Sequence, residues 1–421
     1  VTAAHLEGVT DLPEHVEVLV VGGGPAGSAA AAWAARDGRD VLLVDAAKFP
    51  RDKTCGDGLT PRAMAELEHL GIADWTTSRV RNRGLRLNGF GRSLELEWPG
   101  KGHLPTYGSA VPRSELDDRI GRCAIDAGAR RADGVRAVEL DHNDAAVSAV
   151  RLRTAIGVAT VRCDKLIVAD GVRSPVGKLL GRQWHRETAY GVAVRSYAKS
   201  ARSDDPWITS HLELRDRDKK IQPGYGWVFP LGDGRVNLGV GTLATAKRPA
   251  EGSLRPLLEL YAEQRAEDFA LDGPPTDLAS SLLPMGGAVS GIAGPNWALI
   301  GDAAACVNPL NGEGIDYGLE GGRMITELLD AKDLTDVWPD ALRTRYGQAF
   351  SIARRLAGLL TIPWLLPAAG PVAMRSNRLM QVAVRVMGNL VTEEDADLVA
   401  RLWRLAGRSS LAIDGREPFA D

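Results

Sequence analysis

The apolar run VEVLVV (16–21) feeds directly into Gly22-Gly23-Gly24-Pro25-Ala26-Gly27, and this junction constrains the fold more than any other part of the chain. The run reads as a buried strand. The Ala-rich SAAAAWAARDG that follows has strong helix propensity and stops at Gly38, a residue suited to closing a helix. A second strand, DVLLVD, ends in Asp45, 23 residues beyond Gly22. In this pattern Gly22 permits a tight turn, Gly24 lets the backbone approach a pyrophosphate, and Gly27 lets helix and strand pack closely. Pro25 and Ala26 fill the start of the helix, whose free N–H groups face the phosphates. Asp45 stands where a carboxylate accepts from ribose hydroxyls. One dinucleotide-binding βαβ unit therefore opens the fold. Glycine spacing alone does not separate FAD from NAD.

The rest of the chain reads as alternating strand-rich and helical stretches. Residues 1–15 are polar and are expected to form a loose arm. A glycine-rich loop, FPRDKTCGDG, leads to a short helix over 61–70, and hairpin strands follow over 80–110. A helix begins near Ser114, and strands run through VRAVEL, AVSAVRLRTAIGVATVR and KLIVADG. Residues 190–240 are strand-rich, a helix lies near 252–267, and WALIGDAA leads into a helix over 314–329. The expected fold class is α/β: a discontinuous Rossmann-type domain with an inserted antiparallel β-sheet domain and a C-terminal helical tail. The dinucleotide domain takes 16–80, 110–185 and 282–330, the inserted sheet takes 81–109 and 186–281, and the tail takes 331–421.

Bulk properties exclude several classes. A net charge of −3 with 25% charged residues gives no basic excess, so nucleic acid is not an expected partner. Cys55, Cys123, Cys163 and Cys306 are scattered, with no C-x-x-C spacing, so neither a metal site nor an iron–sulfur cluster is expected. No signal-peptide pattern opens the sequence, and a cytoplasmic location with reduced thiols is the expectation. The stretch Leu356 to Met374 carries no charge, but Pro363, Pro367 and Pro371 interrupt it, which argues against a continuous spanning helix. Arg354, Arg355, Arg375 and Arg378 bracket it. It reads either as a buried helix pair or as a segment lying in a bilayer interface.

Further candidate residues lie far from the glycine loop. Gly301-Asp302 follows the strand WALI, where a carboxylate can bond a ribityl chain, and Asp170-Gly171 follows KLIVA. Each pair alone is an ordinary turn dipeptide. With the N-terminal fingerprint, their order and contexts resemble flavoproteins of the para-hydroxybenzoate hydroxylase fold. That resemblance implies FAD, with Arg113 of VPRSELDDRI also contacting it. Within that fold the chain resembles the geranylgeranyl reductase family over essentially its whole length. The likeness is carried by FPRDKTCGDGLTPRA (49–63), PGYGWVFPLGDGRVNLGVG (223–241), LLPMGGAVSG (282–291) and GDAAACVNPLNGEGIDYGLEGG (301–322). WHRETAYGVAVR and DDPWITSHLELR strengthen it. Two departures stand out: only Gly224 separates Pro223 from Tyr225, where the family's aromatic motif is often P-x-x-Y-x-W-x-F-P, and Thr54 stands where relatives often have proline.

The resemblance implies an FAD-dependent reductase that saturates an isoprenyl double bond of a polyprenyl lipid, with the tail of menaquinone as the expected substrate. Such a reaction needs a hydride from reduced flavin, a proton from an acid, and a nearly dry apolar pocket. Tyr225, Trp227 and Phe229 alternate along one strand and share a face, which serves either as sheet core or as pocket wall. In Cys55-Gly56-Asp57-Gly58 the glycines permit close approach to a flat ring, and Cys55 is either an active-site thiol or an inert buried one. Asn308-Pro309-x-x-Gly312-x-Gly314-Ile315 offers backbone N–H groups at a helix start, suited to negative charge on a reduced flavin. No proton donor is evident; His185 and His211 are candidates by residue type, but a single histidine is more often structural or at the surface. The competing readings are an aromatic hydroxylase on the same fold, a reductase of geranylgeranyl diphosphate, chlorophyll or phospholipid, and a lipid-docking electron-transfer flavoprotein without turnover. A halogenase is disfavoured because Y-G-W-V-F-P replaces W-x-W-x-I-P. A second glycine fingerprint is absent, which leaves NAD(P)H docking or another reductant as the electron source. A lipid substrate implies peripheral contact with the inner face of the cell membrane.

Overall fold

The computed structural model describes residues 12–76, 78–99, 102–250 and 252–420. Most of the expected N-terminal arm lies outside the described residues, and the first strand already begins at His15.

The apolar first strand, His15–Val21, is the centre of an eight-stranded sheet. It pairs in parallel with Val41–Asp45 on one side and with Val158–Val168 on the other. Arg130–Asp133 and Trp297–Leu299 extend the sheet in parallel at the two flanks. A parallel strand needs a crossover, and the helix Pro25–Arg36 supplies the one between the first two strands, so these central strands are covered and read as unbroken apolar runs. Val18, Leu19, Val20, Leu42 and Leu43 are fully buried as a result. The alanines of Pro25–Arg36 then have a clear purpose. A Cβ at Gly322 of the helix Ile315–Thr326 would lie 2.7 Å from Ala26 O, so the two helices approach nearly backbone to backbone.

A second sheet has seven strands, in the order Leu271–Pro284, Tyr190–Ser200, Arg235–Ala244, Gly224–Pro230, Trp207–His211, Gly84–Gly89 and Arg92–Glu97. It is not wholly antiparallel, as the sequence pattern suggests. Trp207–His211 runs parallel to Gly84–Gly89, because the 84–97 hairpin is contributed by a distant part of the chain and joins edge-on. The region 81–109 is also divided. Arg81–Asn82 and Gly108–Ala110 lie outside the large sheet, and Gly108–Ala110 pairs with both Arg81–Asn82 and Gly58–Leu59 in a small three-stranded sheet.

The tail is helical: Val337–Leu342, Gln348–Leu360, Leu365–Ala373, Asn377–Met387 and Leu398–Ala412, with a π-turn over Arg343–Gly347. It is anchored on the first sheet by Trp338, which is fully buried and donates its indole N–H to Leu299 O at 2.8 Å. Around Pro363 the chain turns by 110° between Gln348–Leu360 and Leu365–Ala373. No single helix among the described residues is long and apolar enough to cross a membrane. The stretch 356–374 is unevenly buried: Ala357 is fully buried, whereas Trp364 and Val372 are about two-thirds exposed, at 66% and 63%.

Candidate functional site

A cavity of about 1230 Å³ lies between the two sheets, and its wall includes the residues selected from sequence for the flavin and the pocket except Gly27 and Asp57. Gly27 acts from behind the wall, and Asp57 points into the protein.

At one end is the glycine turn. Gly22 has φ +109°, and a Cβ there would stand 2.2 Å from Ala169 O; a Cβ at Gly27 would stand 1.9 Å from Gly22 O. Neither position admits another residue without moving backbone. Gly24 precedes the helix Pro25–Arg36, and its Cα faces open space. The nearest atoms to a Cβ at Gly24 are Arg51 Nη2 at 3.6 Å and Arg113 Nη2 at 3.9 Å. Two guanidinium groups and a helix N-terminus thus converge on one open spot, the donor set that a pyrophosphate requires. Asp117 holds both arginines: Arg113 Nε and Nη2 reach it at 2.7 and 2.9 Å, and Arg51 Nη1 at 3.1 Å. Burial opposes the Arg113 charge, but Asp117 outweighs it and keeps the guanidinium firmly protonated. Asp45 accepts from Gly23 N at 2.7 Å and Ala47 N at 2.8 Å while lining the cavity, as a ribose-binding carboxylate would.

Asp302 sits farther along, beside Gly314 at the N-terminus of Ile315–Thr326. Burial alone would raise its pKa; the ion pair with Lys53 Nζ at 2.8 Å reverses this and holds it below the ordinary aspartate value. Asp170 also lines the cavity, with its carboxylate already taken by Ser174 Oγ at 2.5 Å and Val176 N at 2.8 Å. Gly171, with φ +80°, turns the chain beside it.

The other end is built on the strand Gly224–Pro230. Tyr225, Trp227 and Phe229 share one face and line the cavity, with neighbouring ring centroids 5.9 and 6.3 Å apart. Trp227 lies flat over Gly239, where a Cβ would meet its ring at 2.1 Å. The Cys55–Gly58 loop crosses these rings, and a Cβ at Gly56 would be 3.3 Å from both Phe229 and Trp227. Cys55 is half-buried, is a free thiol and faces Arg113. Leu87, Ile208, Leu366, Met374 and Met380 continue the wall away from the glycine turn, so this end is apolar.

Asp57 departs from the sequence expectation of a cofactor contact. Its φ of +62° turns the carboxylate away from the cavity and into the protein, where it is fully buried. There it accepts from Tyr197 Oη at 2.7 Å, Asn237 Nδ2 at 2.8 Å and Arg113 N at 3.3 Å. Burial nevertheless raises its pKa from 3.8 to about 6. Neither histidine reaches the cavity wall. His211 is locked between Tyr261 Oη (2.6 Å) and Asn88 Nδ2 (3.2 Å), and burial lowers its pKa to about 3. His185 meets Ser290 Oγ at 2.9 Å. Among the described residues no cluster of His, Cys, Asp and Glu is arranged to hold a metal.

Sequence reasoning missed several contributors. Arg51 and Lys53 stood within the quoted FPRDKTCGDG segment, and their charge beside a glycine loop was the available signal. Asn237 was visible as a lone amide in the apolar strand VNLGVG; it donates to Cys55 O at 2.9 Å and accepts from Trp227 Nε1 at 2.9 Å. Glu313, in NGEGI, also lines the cavity.

The FAD binding domain family model matches residues 15–240. A menaquinone reductase from Mycobacterium tuberculosis is 60% identical, over 97% of this chain and 99% of that protein. One from Mycolicibacterium smegmatis is 61% identical, over 96% and 99%. Among solved structures, a geranylgeranyl bacteriochlorophyll reductase-like protein from Thermoplasma acidophilum has the same fold, with a TM-score of 0.75 at 22% identity over 92% of this chain and 98% of that one.

Two outcomes follow from the geometry. In Gly27→Ala the methyl group must displace the Gly22 turn, at a cost of about 1–3 kcal/mol, so FAD affinity drops about tenfold or more. Flavin absorbance per mole of purified protein checks this, and full retention of flavin would contradict it. For Asp57, the folded state keeps a proton that the unfolded chain has released between pH 4 and 6. Stability therefore declines as pH rises through that window, by about 3 kcal/mol from this group. Urea midpoints from pH 4 to 7 should show a flatter profile in Asp57→Asn, and equal slopes would refute the assignment.

Proposed function

The chain belongs to the FAD-binding flavoprotein family that includes the menaquinone reductases, and on that premise we propose that it saturates an isoprenyl double bond in the tail of menaquinone. The observation that carries this reading is the continuity of the cavity. Its cationic, glycine-lined end and its apolar end form one space. A dinucleotide and a long hydrocarbon tail can thus meet inside it.

When bound and reduced, FAD supplies a hydride. Arg51, Arg113 and the start of Pro25–Arg36 would hold its pyrophosphate, Asp45 its ribose, and Asp302 its ribityl chain. Trp227 is fixed by Asn237 and Gly239, so it forms a flat wall that orients an alkene without spending rotamer entropy on binding. Leu366, Met374 and Met380 exclude water from the tail, which removes competing proton sources. Cys55 stands at the junction of the two ends, where it contacts whatever lies between Arg113 and the aromatic face.

The lipid has to arrive from a bilayer, and the tail helices support a peripheral placement on the inner face of the cell membrane. Leu359, Val372 and Leu379 are exposed on helices whose other residues wall the cavity, and Trp364 is exposed in the turn between two of them. Arg375 and Arg378 are exposed beside them, a combination suited to anionic headgroups.

Mass spectrometry of quinones from cells with and without the gene should show menaquinone gaining two hydrogens per saturated bond only when the gene is present. A shift confined to another polyprenyl lipid would overturn the substrate, and no lipid shift would favour a hydroxylase or a binding role. For the membrane contact, sedimentation with phosphatidylglycerol vesicles should fall about tenfold in the Trp364→Asp, Val372→Asp double variant. Unchanged sedimentation would place the contact elsewhere.

A further inference from the structure

Saturating an alkene needs an acid as well as a hydride, and the cavity contains a carboxyl group whose surroundings are those of an acid kept neutral. Glu313 lies in the loop before Ile315–Thr326, and that loop is rigid. Glu313 N donates to Asn311 Oδ1 at 2.9 Å, Glu313 O accepts from Asn308 N at 2.8 Å, and Tyr225 Oη donates to Asn311 O at 2.5 Å. The glutamate is therefore tied to the aromatic strand.

The hydrogen-bond pattern assigns the proton. Thr60 caps the helix Pro61–His69, and its hydroxyl oxygen accepts from Ala63 N at 3.4 Å. Its hydrogen is thus free to go to Glu313 Oε1, 2.7 Å away. Oε1 behaves as the carbonyl oxygen, and Oε2 is left to carry the acidic hydrogen. Oε2 is buried and has no hydrogen-bond partner in the protein. An ionised carboxylate with one oxygen in that state would be costly, whereas a neutral carboxyl is tolerated.

Resting on the reduction proposed above, we propose that Glu313 is the proton donor: its Oε2–H bond breaks, a C–H bond forms on one alkene carbon, and the other carbon takes the hydride. The π bond is consumed, the flavin is oxidised by two electrons, and the glutamate left behind is reprotonated from water.

The charges facing Glu313 are consistent with this role. Asp316, in the first turn of Ile315–Thr326, opposes a second negative charge, and Arg62, on Pro61–His69, favours it. Arg62 is already engaged with Glu320 at 3.7 Å and with Asn389 O at 2.8 Å. Tyr225 faces the glutamate as a neutral phenol, its own pKa pushed up by burial. Burial dominates, and Glu313 titrates well above an ordinary glutamate. Asp316 is also raised by burial, but only to about 6, with Asn389 Nδ2 bonded to it at 3.0 Å. Of the two, Glu313 is the one with an unpartnered buried oxygen, the arrangement that favours the neutral form.

The infrared spectrum of the purified protein at pH 7 should contain a protonated-carboxyl band that is kept in Asp316→Asn and lost in Glu313→Gln. In single-turnover experiments with dithionite-reduced flavin, Glu313→Gln should bind FAD normally and reduce menaquinone about 10²–10⁴-fold more slowly. A band that survives Glu313→Gln would overturn the assignment, as would reduction by that variant at the wild-type rate. Wild-type protein that leaves menaquinone unreduced would instead sink the reduction on which the assignment rests.

Discussion

Asp57 receives hydrogen bonds from three separate parts of the fold. Tyr197 and Asn237 belong to neighbouring strands of the second sheet, and the Arg113 amide opens a helix that packs on the first. Around this carboxylate the two halves of the cavity are brought into register. Arg113 is fixed at its amide by Asp57 and at its guanidinium by Asp117, so the group that faces the glycine turn is placed by the same contact that holds the aromatic strand. Asn237 transmits the constraint further, because its amide also bonds Cys55 O and the Trp227 indole. An unpaired carboxylate at this depth would be strongly unfavourable; satisfied by donors from both halves, it specifies one arrangement of loop, strand and helix.

This arrangement separates the chemistry of the cavity along its length. Arg51, Arg113 and Lys53 are each neutralised by a carboxylate, yet they keep donors directed at open space near Gly24 and Asp302. Past the Cys55–Gly58 loop the charged side chains give way to Leu87, Ile208 and Met380. The hydrogen-bonding needs of a dinucleotide are met at one end without importing water into the other. Glu313 lines the same cavity, and burial raises its pKa although Arg62 is close by.

The parts of this design that were legible in the sequence have local causes. Gly22 and Gly27 are set by a turn and a helix within six residues of each other, and the spacing alone predicts both. The shared face of Tyr225, Trp227 and Phe229 follows from strand periodicity. What sequence reasoning did not reach depends on distant pairings or on backbone angles. Asp57 sits among cavity-lining neighbours, and only its left-handed φ sends its side chain the other way. The environment of Glu313 needs Thr60, 253 residues earlier. The parallel pairing of Trp207–His211 with Gly84–Gly89 joins segments that no local pattern connects. His211 invites a catalytic reading by residue type, but its two partners, Asn88 and Tyr261, come from elements far apart in the chain.

The proline-interrupted stretch shows why composition alone misjudges such a segment. Its apolar residues divide between two environments because the chain bends by 110° near Pro363, where a straight helix would have carried them past the cavity. The bend lays Leu365–Ala373 across the apolar end, and Gly370 fixes the contact: a Cβ there would strike the Phe90 ring at 2.2 Å. Phe90 ends the hairpin strand Gly84–Gly89, so the second sheet holds this helix, while Trp338 holds the start of the tail on the first. The cavity is thus walled at its apolar end by a helix seated against the 84–97 hairpin, and Val372 on that helix is exposed. The same bend that walls the cavity also leaves Trp364 and Val372 in solvent, the surface on which the proposed bilayer contact rests.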